Sequence, residues 1–296
     1  MNKELLEKKS TISSDVYPTD IKTVNNNRKI NTEKDNNFSE DYVKLGLVHL
    51  ENKDYEEALK CFQKMTEIEV DNPKTYNNLG YIYEKMIMFD SAKKCYEKAL
   101  EIKPDNMEAI INIGHIFELQ GDYHNAVDQY KKAIGIYPRA VEPRFCLATL
   151  YDKHDMYDEA AEEYENIIEI NPKHTKALHN LGRIYFQYGD YDNAIKSFQT
   201  VLELEPENAD TWNDLGSVYE TTNKIKEAIS TYCKALTFNP FHEETHFNLA
   251  NIHYSLYLSH PQSVNIEDII GRLNFVLSRN PHNKKVQKLL EEIKAS

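Results

Sequence analysis

The stretch Trp212–Pro240, WNDLGSVYETTNKIKEAISTYCKALTFNP, decides how this chain folds. Trp212, Leu215, Gly216 and Tyr219 fall at i, i+3, i+4 and i+7, the spacing of one helix face. After the turn at Asn223–Ile225, Ala228, Ile229, Tyr232, Ala235 and Leu236 share a second face. Pro240 ends that second helix, because proline cannot continue the backbone ladder. The stretch is a pair of short amphipathic helices, neither able to bury its apolar face alone.

The pair recurs along the chain. Prolines fall at 104, 138, 172, 206 and 240, and small residues at Ala58, Ala92, Ala126, Ala160, Ala194 and Ala228, always 34 residues apart. The units run 39–72, 73–106, 107–140, 141–174, 175–208, 209–242 and 243–281. A fixed period of this length predicts stacked two-helix units that bury a continuous core between neighbours. The pattern W-x2-L-G-x2-Y…A-x3-F…P resembles the tetratricopeptide repeat (TPR), with Tyr232 in place of Phe. The resemblance covers residues 39–296 and implies an all-α, right-handed solenoid of antiparallel helix pairs.

Four segments depart from the repeat. Residues 1–38 are rich in Asn, Ser, Thr and Lys without sustained periodicity, so they read as a disordered tail. The fourth unit has Arg144 at the usual aromatic position and Pro143 in its first turn. In the seventh, the second helix arrives seven residues late, which predicts a first helix through about Leu258, a loop over Ser259–Val264 and a cap at Asn265. Residues 282–296 place Val286, Leu289, Leu290 and Ile293 on one face, the pattern of a helix that caps a last repeat.

One position is not explained by packing within a unit. Asn78, Asn112, Asn180, Asp214 and Asn248 recur at the sixth residue of five units, although Asn is a weak helix former. On a helical wheel this position lies roughly 150° from the apolar face. In TPR proteins the first helices line the concave wall, so the resemblance implies a ladder of amides along a groove. An amide carries both donors and an acceptor and can pair with the backbone of any peptide. The arrangement is similar to the asparagine ladder in the TPR superhelix of O-linked N-acetylglucosamine transferase, but this chain has no room for that enzyme's catalytic part. Lys44 and Cys146 interrupt it. The alternative reading is that Asn is tolerated there, or bonds a neighbouring helix.

Other residues with the same outward direction join the candidate groove: Asn77, Tyr81, Phe145, Phe186, and the basic stripe Lys176, His179 and Arg183. The stripe offers charge to a carboxylate or phosphate, or pairs with Glu142 and Asp152 of the preceding unit. The fifth residue of each unit reads Val43, Asn77, Ile111, Phe145, His179, Asn213, Phe247. The TPR clamp for a chaperone's C-terminal carboxylate needs Lys there, so that partner is not expected. HEETH at 242–246 fits the H-E-x-x-H zinc-protease pattern. The repeat register instead makes His242 a linker residue and His246 a core residue, so no metal, cofactor or catalytic residue is assigned.

Net charge is −13, which disfavours nucleic-acid phosphates as partners. No 18-residue apolar run is present and the N-terminus lacks an apolar signal region. Four scattered cysteines without a C-x-x-C pair fit a reducing compartment. The sequence therefore predicts a soluble, cytoplasmic, non-enzymatic scaffold that binds an extended peptide or partner helix in its groove. A structural subunit of a larger assembly is the alternative, and a zinc protease the remote one.

Overall fold

Each repeat folds as two helices joined by a short turn. The computed structural model describes residues 33–295, with side chains from residue 41. Its contacts divide the chain into two compact units, Met1–Asp155 and Met156–Ser296. The expected tail falls, for residues 1–32, outside the described residues. The first helix starts at Glu33 rather than Ser39.

The first unit contains α1 (Glu33–Glu51), α2 (Tyr55–Ile68), α3 (Pro73–Lys85), α4 (Phe89–Ile102), α5 (Met107–Gln120), α6 (Tyr123–Ile136) and α7 (Val141–Lys153). The second contains α8 (Tyr157–Ile170), α9 (Thr175–Gln187), α10 (Tyr191–Leu204), α11 (Ala209–Thr221), α12 (Ile225–Phe238), α13 (Glu243–Ser259), α14 (Ile266–Arg279) and α15 (Lys284–Ala295). No strand occurs among the described residues. Odd-numbered helices through α13 open the repeats. The helices α4, α6, α8, α10 and α12 each end two residues before the recurring proline.

Caps explain why these helices start where they do. Asp54, Asp122 and Asp190 accept a backbone N–H at the start of α2, α6 and α10. Asn72, Asn106 and Asn208 do so at α3, α5 and α11. His174 and His242 take the same place before α9 and α13, each accepting through Nδ1. A backbone N–H can only donate, so both Nδ1 atoms are unprotonated in this arrangement.

The core repeats with the sequence. Phe62, Tyr96, Tyr130, Tyr164, Phe198 and Tyr232 are all fully buried on the second helices. Four of these rings, like that of Phe62, lie against a glycine of the paired first helix: a Cβ on Gly80 would come within 2.5 Å of Tyr96, and one on Gly216 within 2.5 Å of Tyr232. The exception is the fourth repeat, where Ala148 occupies the glycine position. The seventh repeat is longer: α13 reaches Ser259, and Asn265 caps α14 through Glu267 N–H. Val286, Leu289, Leu290 and Ile293 of α15 join the α13–α14 core around Leu273 and Val276.

Candidate functional site

The face of each first helix is built from positions that the wheel of an isolated helix treats alike and the structure separates. The fifth position is buried at Asn77, Ile111, Phe145 and Asn213 and half-buried at Val43, His179 and Phe247. Asn77 is 1% exposed, and its Nδ2 donates to Asn106 Oδ1 at 3.3 Å and Glu108 Oε2 at 3.0 Å, both at the start of α5. Asn213 is equally buried; its Oδ1 accepts from Thr245 Oγ1 at 2.9 Å and Asn248 Nδ2 at 3.1 Å on α13. These amides clasp successive first helices together. The groove role expected for Asn77 is therefore corrected: the next repeat's helix covers the side that looks open on its own. Phe145, 7% exposed, is a core residue of α7, so its groove role is corrected too.

The sixth position is mixed. Asn78 and Asn112, on α3 and α5, are half-buried and make no side-chain hydrogen bond among the described residues. In the second unit the equivalent residues are engaged. Asn180 donates to Tyr164 Oη at 2.8 Å, and Asn248 is tied to Asn213. Asp214 accepts from Asn213 at 3.4 Å, and its carboxylate lies 3.1 Å from His179 Nε2, although that nitrogen has no aligned hydrogen-bond partner. Lys176 and Arg183 are exposed on either side of His179. Tyr81 is half-buried with the Lys85 ammonium 4.7 Å from its ring centre; burial pushes its pKa up. Phe186 packs on the Ala194–Phe198 core, 6.0 Å from Tyr191, and belongs to its own repeat rather than to an open face.

The twelfth position carries a feature the outward-facing pattern missed. Glu84, Glu118 and Glu220 accept the buried hydroxyls of Tyr96, Tyr130 and Tyr232 of the same repeat, at 3.4 Å for Glu84 and 2.8 Å for Glu220. Where the second-helix ring is Phe, as in Phe62 and Phe198, the twelfth residue is apolar: Leu50 and Phe186. A buried hydroxyl needs a partner and a buried phenyl must not face a carboxylate. That correlation was visible in the sequence. In the first unit the acids are also paired forward: His115 lies 3.4 Å from Glu84, and Lys153 donates to Glu118 at 2.9 Å. Burial pushes the Glu84 carboxyl up, but His115 and Lys85 outweigh it and hold it below the usual carboxylate range.

HEETH is structural. His242 precedes α13 rather than sharing its face with His246; its Nδ1 accepts from Thr245 N–H and its Nε2 donates to Asp210 at 2.8 Å. His246 bonds the Pro240 carbonyl at 3.0 Å and Arg272 at 3.3 Å. All four ring nitrogens are engaged, and no group of three metal-ligating side chains occurs among the described residues.

Helix pairs of constant period, joined by buried amides and keyed by Tyr–Glu pairs, define an α-helical repeat protein. Family models described as TPR repeat match residues 46–86 and 182–223, and others described as tetratricopeptide repeat match 73–106, 108–139, 145–174, 163–196 and 209–242. The chain belongs to the tetratricopeptide-repeat family. A search of curated protein sequences returned no match. Among solved structures, the C-terminal part of a TPR repeat-containing protein from Cytophaga hutchinsonii superposes with TM-score 0.63 at 19% identity, over 83% of this chain and 98% of that one. A chain of the APC/C hetero-tetramer Cut9–Hcn1 gives 0.61 at 18%, over 81% of this chain and 48% of that one. YrrB, described as a TPR protein with an unusual peptide-binding site, gives 0.51 at 23%, over 62% and 95%. At these identities the likeness is one of fold.

Proposed function

We propose that this protein is a non-catalytic interaction scaffold whose first-helix faces hold an extended segment or a helix of a partner protein. The observation that carries the reading is the pair Asn78 and Asn112. They occupy equivalent places on α3 and α5, at the solvent edge, with amides committed to nothing else among the described residues. Asn in a helix costs roughly 0.5–0.7 kcal/mol relative to Ala. A locally unfavourable residue without an internal partner suits an external one. The bonds made by Asn180 and Asn248 leave the second unit's face to Lys176, Arg183 and Asp214, so selectivity there is electrostatic.

No helix of the described residues is long and apolar enough to cross a membrane, and the four cysteines are unpaired. Both fit action in the cytoplasm. The test is Asn78→Ala with Asn112→Ala, compared with wild type in quantitative partner recovery from native extract and in thermal unfolding. Loss of one or more recovered proteins at unchanged stability is the expected result; identical recovery overturns it. Asn180→Ala serves as the contrast, because removing the bond to Tyr164 lowers stability by about 1 kcal/mol.

A further inference from the structure

The first repeat differs from the others on the side where repeats stack. In every first helix from α3 to α13 the third, seventh and tenth residues of the repeat are buried, as Thr211, Leu215 and Val218 are in α11. The equivalent residues of α15, Val286, Leu290 and Ile293, are buried as well. In α1 they are Asp41, Leu45 and Val48, and all three are exposed, Leu45 by 48% and Val48 by 50%. Two apolar side chains thus stand on a stacking face that nothing among the described residues covers.

The later repeats define what fits such a face. There the preceding second helix packs on it, through a small residue and an aromatic four residues on. Ala92 and Tyr96 pack on Ile113 and Ile116, and Ala194 and Phe198 on Leu215 and Val218, the same two residue types that α1 presents. Seven residues after the small one comes a third apolar residue, Ala99 or Val201 in these helices, fully buried. A short linker joins that end of the second helix to the next first helix, so this residue stands beside the third position. In α1 the third position is Asp41, which makes no hydrogen bond or ion pair among the described residues, although Lys44 follows one turn later. A helix seated on α1 therefore needs a basic residue at that place, since a carboxylate covered by an apolar side chain loses its water without compensation. No second helix of this chain has a basic residue there, so a second copy does not supply the pattern. Residues 1–32 do not supply it either: they contain no alanine and one aromatic, Tyr17, followed directly by Pro18 and three residues on by Asp20.

We infer that the stacking face of α1 docks an amphipathic helix of a partner protein, one with a small residue, an aromatic four residues later and a lysine or arginine three residues beyond that. The aromatic ring covers Leu45 and Val48, and the basic group pairs with Asp41. The docked helix takes the place of one more second helix, supplied in trans. This face is distinct from the one that carries Asn78 and Asn112.

The probe is a labelled peptide of residues Tyr191–Leu204, the helix that covers Leu215 and Val218 within this chain. A lactam between Asp192 and Lys196, both exposed in α10, holds it helical, because so short a helix is marginal on its own. A second version carries Val201→Lys. Fluorescence anisotropy with the full chain is expected to show the lysine version binding about threefold more tightly than the parent. Phe198→Ala in the peptide, or Leu45→Lys/Val48→Lys in the protein, weakens binding about tenfold. The protein substitutions are at exposed positions, and circular dichroism checks their folding. Asp41→Lys reverses the preference between the two peptides, and Asn78→Ala/Asn112→Ala binds as wild type does. No binding, equal binding to Leu45→Lys/Val48→Lys, or no preference for the lysine version overturns the proposal. So does a photo-cross-link from Leu45→benzoylphenylalanine in the free full chain to residues 1–32 or to a second copy, which would show the face already occupied.

Discussion

Ile87 has φ of 62° and is 72% exposed. A β-branched residue in the left-handed region is strained, and an exposed one gains no burial in return. The same place in the other turns is taken by Lys53, Gly121, Asp155, Gly189 and Asn223, all with positive φ. The turn, not the residue, dictates the backbone. Ile87→Gly should therefore raise stability by about 1 kcal/mol, after the entropy that glycine adds to the unfolded chain. Urea unfolding of the two proteins measures it, and an unchanged or lower midpoint contradicts the assignment. Sequence reading did not find this residue, because nothing in MIMF at 86–89 marks a turn. Only the register of the other positive-φ turns marks it. Asn77 was misread for a related reason: a wheel describes one helix, and the side that Asn77 faces is filled by a helix 29 residues further on.

The helix pair was the most legible level. The glycine at the eighth position, the alanine of the second helix and the terminal proline are each required by a close approach or a helix end, so they recur at fixed spacing. The pairing between the twelfth residue and the second-helix ring was equally legible, but it is invisible to any analysis of one residue at a time. It yields a double-mutant prediction. Tyr232→Phe removes the hydroxyl bonded to Glu220, and Glu220→Leu removes the acceptor. Glu220→Leu leaves the buried Tyr232 hydroxyl with Ser217 Oγ, 3.2 Å away, as its remaining partner, and Tyr232→Phe takes one bond from the half-buried Glu220 carboxylate, each at about 1 kcal/mol. Together they reproduce the Leu50–Phe62 arrangement of the first repeat, so the double variant should be more stable than the sum of the singles by about 1 kcal/mol. Strict additivity in urea unfolding contradicts the pairing.

For the whole molecule, stability should depend on pH more than the acidic composition alone suggests. His174, His246 and His253 have folded pKa values lowered chiefly by burial. Their contribution is complete above about pH 6.5, the unfolded value, and is lost as pH falls through the folded values. Glu84 and Asp210 are also lowered, so their contribution is lost at still more acidic pH. His242, raised by Asp210, and Glu108, raised by burial, act in the opposite sense. The urea midpoint is thus expected to hold from pH 8 to about 7 and to fall below about 6.5. A midpoint that rises between pH 6.5 and 5 contradicts this balance. The Tyr–Glu pairs carry one more consequence, for how such a chain grows. Each pair closes within a single repeat, so a gene segment duplicated or exchanged as a full 34-residue module brings its own matched partners. A crossover at the turn between a Tyr–Glu repeat and a Phe repeat would join a carboxylate to a phenyl ring, or strand a hydroxyl. Viable recombinants of this protein should have their breakpoints between repeats and not within them.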